Sequence, residues 1–209
     1  RVKVKFPWLD DNLESDWARI AAPGAGKGRG VLWLPEVDDE VLVAFENGDI
    51  HRPYVLGGLW NAKDVPPAKS SDIVGMDGGV TARRLESKSH MKLVFGDKEG
   101  DRGILLTGDD NNRIEVLVDK KAVKVLSNGE VQVTGGKITL GGTDIEIKAS
   151  GGLKINASGN IEISGAGVKV DTKANLDLNA GANLTAKGSA QASLQGGMVE
   201  VKGTMVRIN

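Results

Sequence analysis

The fold is decided by residues 131–170, which read VQVTGGKITLGGTDIEIKASGGLKINASGNIEISGAGVKV. Aliphatic residues come here as doublets, pairs two positions apart, and Gly, Asn, Asp, Ser and Thr stand between the doublets. Side chains alternate across a strand, so both members of a doublet lie on one face, and the residues between them favour turns. The stretch therefore predicts very short strands joined by corners.

The doublets recur every seven or eight residues from Val131 to the end of the chain, and less regular ones extend the pattern back toward residue 91. A unit that buries two aliphatic side chains cannot form a core alone. Single-chain β-helices advance in six-residue steps or use longer rungs, so three chains winding about one axis fit better. A narrow interior also explains why no aromatic residue follows Phe95. The axis-facing core is predicted to include Val131, Val133, Ile138, Leu140, Ile145, Ile147, Leu153, Ile155, Ile161, Ile163, Val168, Val170, Leu176 and Leu178.

Composition divides the 209 residues into two parts. Seven of the eight aromatic residues lie in the first sixty positions, all six prolines lie at or before Pro67, and 22 of the 29 glycines follow residue 60. Five short apolar runs and the turn signal Asn47-Gly48-Asp49 predict a small barrel of the OB type in the first part. The fold class is thus all-β: an OB-fold barrel over residues 1–66, a linker over 67–90, and an intertwined triple-stranded β-helix over 91–209.

Charge and residue content exclude several functions. The chain has 27 Lys and Arg against 28 Asp and Glu, whereas proteins that bind nucleic acid usually carry a basic excess. It has no cysteine and two histidines, His51 and His90, which leaves little material for a metal site or a catalytic triad. We therefore expect no catalytic residue, no cofactor, no metal and no nucleic-acid partner.

Three motifs have structural readings that we prefer to functional ones. Residues 24–30 are Gly-rich but lack the Gly and the Ser or Thr of a phosphate-binding loop, so a barrel loop is expected. Residues 109–112 lack the spacing of a calcium loop and predict a turn between strands. The carboxylates between doublet members, among them Glu146, Glu162 and Asp177, should face solvent rather than form a catalytic pair.

Two segments of the first part resemble the OB domain of Vgr-family spike proteins, which are similar to the puncturing spikes of contractile phage tails and injection particles. They are LPEVDDEVLVAFENGD at residues 34–49 and RPYVLGGLWN at residues 52–61. The resemblance implies a non-enzymatic homotrimer that caps the inner tube, contacts tube and baseplate proteins through its N-terminal side, and punctures a target envelope. It also implies assembly in the bacterial cytoplasm and an extracellular or injected location on contraction. Because the chain begins without Met, we expect it to be the back part of a longer polypeptide.

The last five residues form the predicted tip of the needle. The final doublet, Val206 and Ile208, would leave a small apolar triangle of three strand ends, a surface that proteins normally cover. The resemblance supplies a partner, a conical PAAR-repeat protein that would carry any metal at the tip. The predicted docking residues are Met205, Val206, Arg207, Ile208 and Asn209.

Two other functions compete with a structural spike. A polysaccharide-degrading enzyme on a β-helix would require long rungs and a monomer. An OB-fold protein that binds single-stranded nucleic acid would use Trp8, Trp33 or Tyr54 to stack on bases. The mass of the assembly in solution separates these alternatives from a trimer.

Overall fold

The computed structural model describes residues 1–10 and 12–208, and it consists almost entirely of β-strands and loops. The chain divides into two compact units, Arg1–Thr139 and Leu140–Asn209. The described elements, in chain order, are β1 Arg19–Ile20, β2 Ala25–Gly26, β3 Arg29–Gly30, β4 Val41–Phe45, a 3₁₀ turn at Glu46–Gly48, β5 Pro53–Gly58, α1 Ser70–Ile73, β6 Ala82–Glu86, β7 Lys92–Gly96, β8 Gly103–Thr107, β9 Arg113–Leu117 and β10 Ala122–Leu126.

The first sixty residues are organised around strand β5. It pairs antiparallel with β4 and parallel with β1, and Val55 at its centre is almost fully buried. The turn between β4 and β5 holds Asn47 at φ 52° and Gly48 at φ 78°, in the left-handed region that these two residues tolerate best. The predicted turn at Asn47-Gly48 is confirmed.

Other runs of the first part form less strand than the alternation predicted. The first run is held by isolated bridges, Val2 to Ala18 and Lys5 to Glu14. Residues 31–34 are exposed and lie in no described strand. Alternation identifies the two faces of a segment but not the neighbour that completes its backbone hydrogen bonds, and these runs find few such neighbours within one chain.

Strands β6 to β10 form one antiparallel meander in which each strand pairs with the next. The sheet begins at Ala82, inside the segment 67–90 that the composition predicted as a linker. The same segment contains α1 and a bridge between Val74 and Val80. Arg84 Nη1 on β6 donates a hydrogen bond to the carbonyl of Pro67, 3.0 Å away, and so holds this segment to the sheet.

Beyond β10 the chain is extended and bends at regular intervals. Within the described residues, positions 131–208 form no strand and no backbone–backbone hydrogen bond, and every residue from 128 to 208 is exposed. A bend lies between each doublet and the next, for example at Gly136, Thr143 and Gly159. The corners thus occur where the sequence predicted them, whereas the pairing partners of the short strands are not supplied by the same chain.

Candidate functional site

The doublets form an apolar stripe that one chain does not cover. In the seven doublets of the predicted core the exposed fraction of the side chains runs from 52% at Ile138 to 74% at Ile163. Aliphatic side chains with this exposure lose most of the stabilisation that burial provides, about 1.5–3 kcal/mol each. The stripe is therefore left largely uncovered by the chain itself.

Within each of these seven doublets the first member is less exposed than the second, because the first member follows the bend. A Cβ on Gly135 would lie 3.8 Å from Ile138 Cγ1, and one on Gly142 would lie 3.9 Å from Ile145 Cγ1. The glycines allow the backbone of the bend to pass close to the next aliphatic side chain. These distances are ordinary van der Waals contacts, so a methyl group at either position would touch the next aliphatic side chain without a clash.

The polar residues of the repeats lie on the side opposite the doublets. Lys148 Nζ lies 2.9 Å from Glu146 Oε1, and Lys202 Nζ lies 2.6 Å from Glu200 Oε1. These partners are two positions apart and therefore share one face of an extended chain. Glu146, like Glu162 and Asp177, is exposed, as expected for solvating charges.

The meander carries a second apolar face, which sequence reasoning found only in part. Its register aligns two rows of five residues, and nine of the ten side chains are apolar. Most of the nine are exposed, including Ile104 at 41% and Leu106 at 53%. The rows are Arg83, Phe95, Ile104, Val116 and Val123, and Leu85, Leu93, Leu106, Ile114 and Val125.

Charged residues of the meander are concentrated on its other face. Arg84 Nη2 lies 2.6 Å from Glu86 Oε2, and His90 Nδ1 lies 2.8 Å from Glu86 Oε1. The hydrogen bond with His90, together with the positive charge of Arg84, holds the pKa of Glu86 below its ordinary value, although partial burial opposes this shift. The exposed apolar face consequently carries one charged residue, Arg83, which pairs with Asp97.

The turns of the meander are fixed by hydrogen bonds to carboxylates. Asp119 accepts hydrogen bonds from Arg102 Nε and Nη2 at 2.9 and 2.6 Å, and from the backbone N–H of Arg102 at 2.8 Å. Asp109 accepts bonds from the side chain of Asn112 and from the backbone N–H groups of Asn111 and Asn112. These bonds lower the pKa of both carboxyl groups. Residues 109–112 are thus the predicted turn between strands.

The predicted tip residues are exposed as far as the structure describes them. Ile208 is 92% exposed, Met205 72% and Val206 49%, and Arg207 is exposed as well. Asn209, which was predicted to complete the polar rim, lies outside the described residues. The described tip therefore presents apolar side chains and one cation to its surroundings.

The remaining candidates of the first part have structural roles. His51 Nδ1 lies 2.9 Å from Asp16 Oδ2 on the surface, as expected for a barrel-surface residue. Strands β2 and β3 pair within the Gly-rich residues 24–30, so the expected loop is a short hairpin.

Two of the three residues predicted to stack on bases have exposed side chains. Trp8 and Trp33 are 77% and 57% exposed. Tyr54 instead has the Arg19 guanidinium 4.5 Å from its ring centroid, which covers one face of the ring. Trp33 also lines an open cavity of about 520 Å³ in the first part, whose lining includes Leu34, Val41 and Trp60.

Residues 1–60 match the family model described as the type VI secretion system and phage-baseplate injector OB domain. Within the described part of the chain, no helix combines the length and apolar character needed to cross a membrane.

The chain is also similar to several curated proteins. The type VI secretion system spike protein VgrG1b of Pseudomonas aeruginosa is 28% identical over 132 residues, covering 57% of this chain and 17% of that protein. The spike protein VgrG3 of Vibrio cholerae is 33% identical over 115 residues, covering 51% and 11%. The actin cross-linking toxin VgrG1 of Vibrio cholerae is 37% identical over 71 residues, covering 32% and 6%.

The matched region thus represents less than a fifth of each of these three longer proteins. Both the domain match and the relatives agree with the segments at residues 34–49 and 52–61 that carried the resemblance in the sequence. The chain is thus similar to VgrG spike proteins, and its residues 1–60 match the injector OB domain of type VI secretion systems and phage baseplates.

Proposed function

We propose that this chain is the barrel-and-needle part of a trimeric central spike in a contractile injection apparatus, type VI-like or phage-tail-like. The observation that carries the proposal is the exposure of all seven core doublets in a single chain. Two further copies, wound about the same axis, would bury each doublet against its equivalents and supply the missing backbone partners. This assembly is the predicted triple-stranded β-helix, proposed here for the doublets from Val131 on, because residues 92–126 of the predicted range 91–209 pair within one chain.

The meander supports the same assembly. Its two apolar rows end in Val123 and Val125, and the next doublet in the chain is Val131 and Val133. The first members of the doublets at Leu93, Ile104, Ile114, Val123 and Val131 stand 11, 10, 9 and 8 residues apart, so the spacing shortens steadily toward the regular repeat. The apolar wall of the needle therefore begins in a sheet built by one chain and continues in segments that need three.

The biological role follows from the relatives named as spike proteins. The OB part would join the needle to the inner tube and baseplate, and the needle would be driven into the target envelope on contraction. In this role the chain transmits force and performs no catalysis. Assembly would take place in the bacterial cytoplasm, with delivery to the outside or into a target upon contraction.

The exposed end of the chain is the proposed docking site for a PAAR-type cone. Val206 and Ile208 would supply three copies of an apolar platform, and Arg207 and Asn209 its polar rim. Three identical chains present one threefold platform, so one cone should bind per trimer.

Co-purification tests this role. The full chain should retain a co-expressed PAAR-type protein at one cone per three chains, and deletion of residues 205–209 should abolish retention while leaving the trimer intact. Retention of the cone by the truncated chain would contradict the placement of the site. Binding of one cone to one chain would contradict the threefold platform.

A further inference from the structure

Charges in the middle of successive doublets alternate in sign. The middle residue is the one between the two aliphatic members, as Glu146 stands between Ile145 and Ile147. In five consecutive repeats every middle residue is charged, and each has the sign opposite to the one before it. These five residues, which we call the charge column, are Glu146, Lys154, Glu162, Lys169 and Asp177.

The contacts of the single chain show on which side these residues lie. Glu146 pairs with Lys148 at 2.9 Å, and Lys169 pairs with Asp171 at 3.5 Å. Each pair is two positions apart, so the middle residue shares its face with the residue after the doublet and lies opposite the aliphatic members. The side chains concerned are 71–86% exposed. The charge column is therefore an outer surface feature.

In the proposed trimer this column becomes a set of contacts between chains. Each of the three chains moves to the next face of the needle at each bend. On any one face, a repeat of one chain therefore lies beside the following repeat of another chain. Neighbouring strands lie about 4.8 Å apart, and residues directly opposite each other interact. Lys154 of one chain would then lie between Glu146 of a second chain and Glu162 of the third.

We infer that the charge column forms ladders of ion pairs between chains and sets the register of the three chains in the needle. This inference rests on the proposed trimer. A chain displaced by one repeat would place each column residue beside residues of its own sign on both sides, and like charges opposite each other destabilise a sheet. The alternation of charge thus favours one register of the three chains and disfavours the registers shifted by one repeat.

The apolar core cannot make this selection by itself. From Val131 to Leu178 successive doublets are pairs of Ile, Leu or Val of similar volume, so in this stretch a shift by one repeat exchanges similar side chains. Register is weakly specified wherever successive segments are interchangeable. A second alternating run supports the same function at the start of the needle: Glu130, Lys137 and Asp144 each precede a doublet and alternate in sign.

Mixing of two chains tests the inference. In the inverted chain all five column charges are reversed: Glu146→Lys, Lys154→Glu, Glu162→Lys, Lys169→Glu and Asp177→Lys. Alternation is restored within this variant, so it should form trimers by itself. Co-expressed at low salt with the original chain under a second tag, it should form unmixed trimers, because every mixed contact in the column joins like charges.

Native mass spectrometry reads the composition of the trimers. Random association, in which mixed trimers are the majority, would overturn the inference while leaving the trimer itself established. Failure of the inverted chain to assemble alone would overturn it too. Monomers of the original chain would instead contradict the proposed function. As a control, a chain with Gln or Asn at all five positions should mix freely with the original.

A matched pair of single substitutions gives a second readout. Lys154→Glu places three acidic residues in a row, whereas Lys187→Glu makes the same change where the equivalent residues of adjacent repeats, Asn179 and Gln195, are uncharged. The first should lower the melting temperature of the trimer by several degrees at low salt and recover in concentrated salt, where surface charges are screened. Equal melting temperatures for the two variants would overturn the inference.

Discussion

At the scale of single residues, neighbouring side chains of the repeat would have opposite environments in the proposed trimer. Ile155 is the second member of a doublet and Asn156 follows it, so their side chains leave the backbone on opposite faces. Both are exposed in one chain. The trimer would bury the first against its two equivalents and leave the second in water.

The same substitution at these two positions therefore has different results. Ile155→Asp removes three aliphatic side chains from the axis, at a cost of about 2–5 kcal/mol each for the lost packing, and places three carboxylates together in an apolar interior. Asn156→Asp should change the stability by less than about 0.5 kcal/mol. Size-exclusion chromatography at pH 7 should show loss of the trimer for the first variant only. Equal assembly of both would refute the assignment of the faces.

At the scale of elements, the meander is the part of the proposed needle that pairs within one chain. The segments between its doublets are longer than those of the regular repeat, and carboxylates such as Asp119 form several hydrogen bonds there. The first member of the last meander doublet, Val123, is followed eight residues later by the first regular repeat. The element thus folds within each chain and ends directly before the regular repeats begin.

Acid should weaken this platform in a definite direction. Hydrogen bonds from Arg102 hold the pKa of Asp119 below its ordinary value, so the unfolded chain takes up this proton at a higher pH than the folded chain does. The stabilisation that Asp119 provides is complete at a pH above the ordinary pKa of an Asp side chain, about 4. It is lost as the pH falls through the lowered pKa of Asp119 in the folded chain. Asp119→Asn should accordingly melt below the original chain at pH 7, and the difference should narrow toward pH 3. A difference that stays constant over this range would contradict the role of the carboxylate.

Sequence patterns predicted the positions of turns and bends better than they predicted which strands pair with each other. The turn at Asn47-Gly48 and the bends between doublets follow from residue types that adopt turn conformations, and they are where the sequence placed them. The apolar run around Val31 and Trp33, one of the five runs that predicted the barrel, lies in no described strand. The backbone N–H of Val31 donates to the carbonyl of Gly24, 3.0 Å away, but this contact does not continue into a strand pair. The meander was found only through isolated doublets such as Ile104 and Leu106, since its longer turns break the seven- or eight-residue period.

The apolar surfaces of the candidate site were also predicted only in part from the sequence. The doublets identified the apolar stripe. The second apolar face depends on the register of the five meander strands, and the sequence does not reveal this register because the spacing between the doublets varies there. Leu93 with Phe95 and Ile114 with Val116 have the doublet spacing and belong to the less regular pattern that extends back toward residue 91. Arg84 and Glu86 are two positions apart on β6, so their ion pair on the opposite face is local to that strand.

At the scale of the whole molecule, the proposal makes the chain one third of an assembly. One copy leaves its doublets and a sheet face in water, and its extended segment lacks backbone partners within the described residues. The conformational entropy of ordering such a segment is about 1–2 kcal/mol per residue, which only burial and hydrogen bonding of the segment can offset. Folding and trimerisation of the needle should therefore be one process.

The mass of the full chain in solution tests this account most directly. Light scattering coupled to size exclusion, on protein at micromolar concentration, should give three times the chain mass of 22.0 kDa, with no folded monomer at lower concentration. A stable monomer, with melting independent of concentration and the doublets still exposed, would contradict the central claim that three chains form the needle.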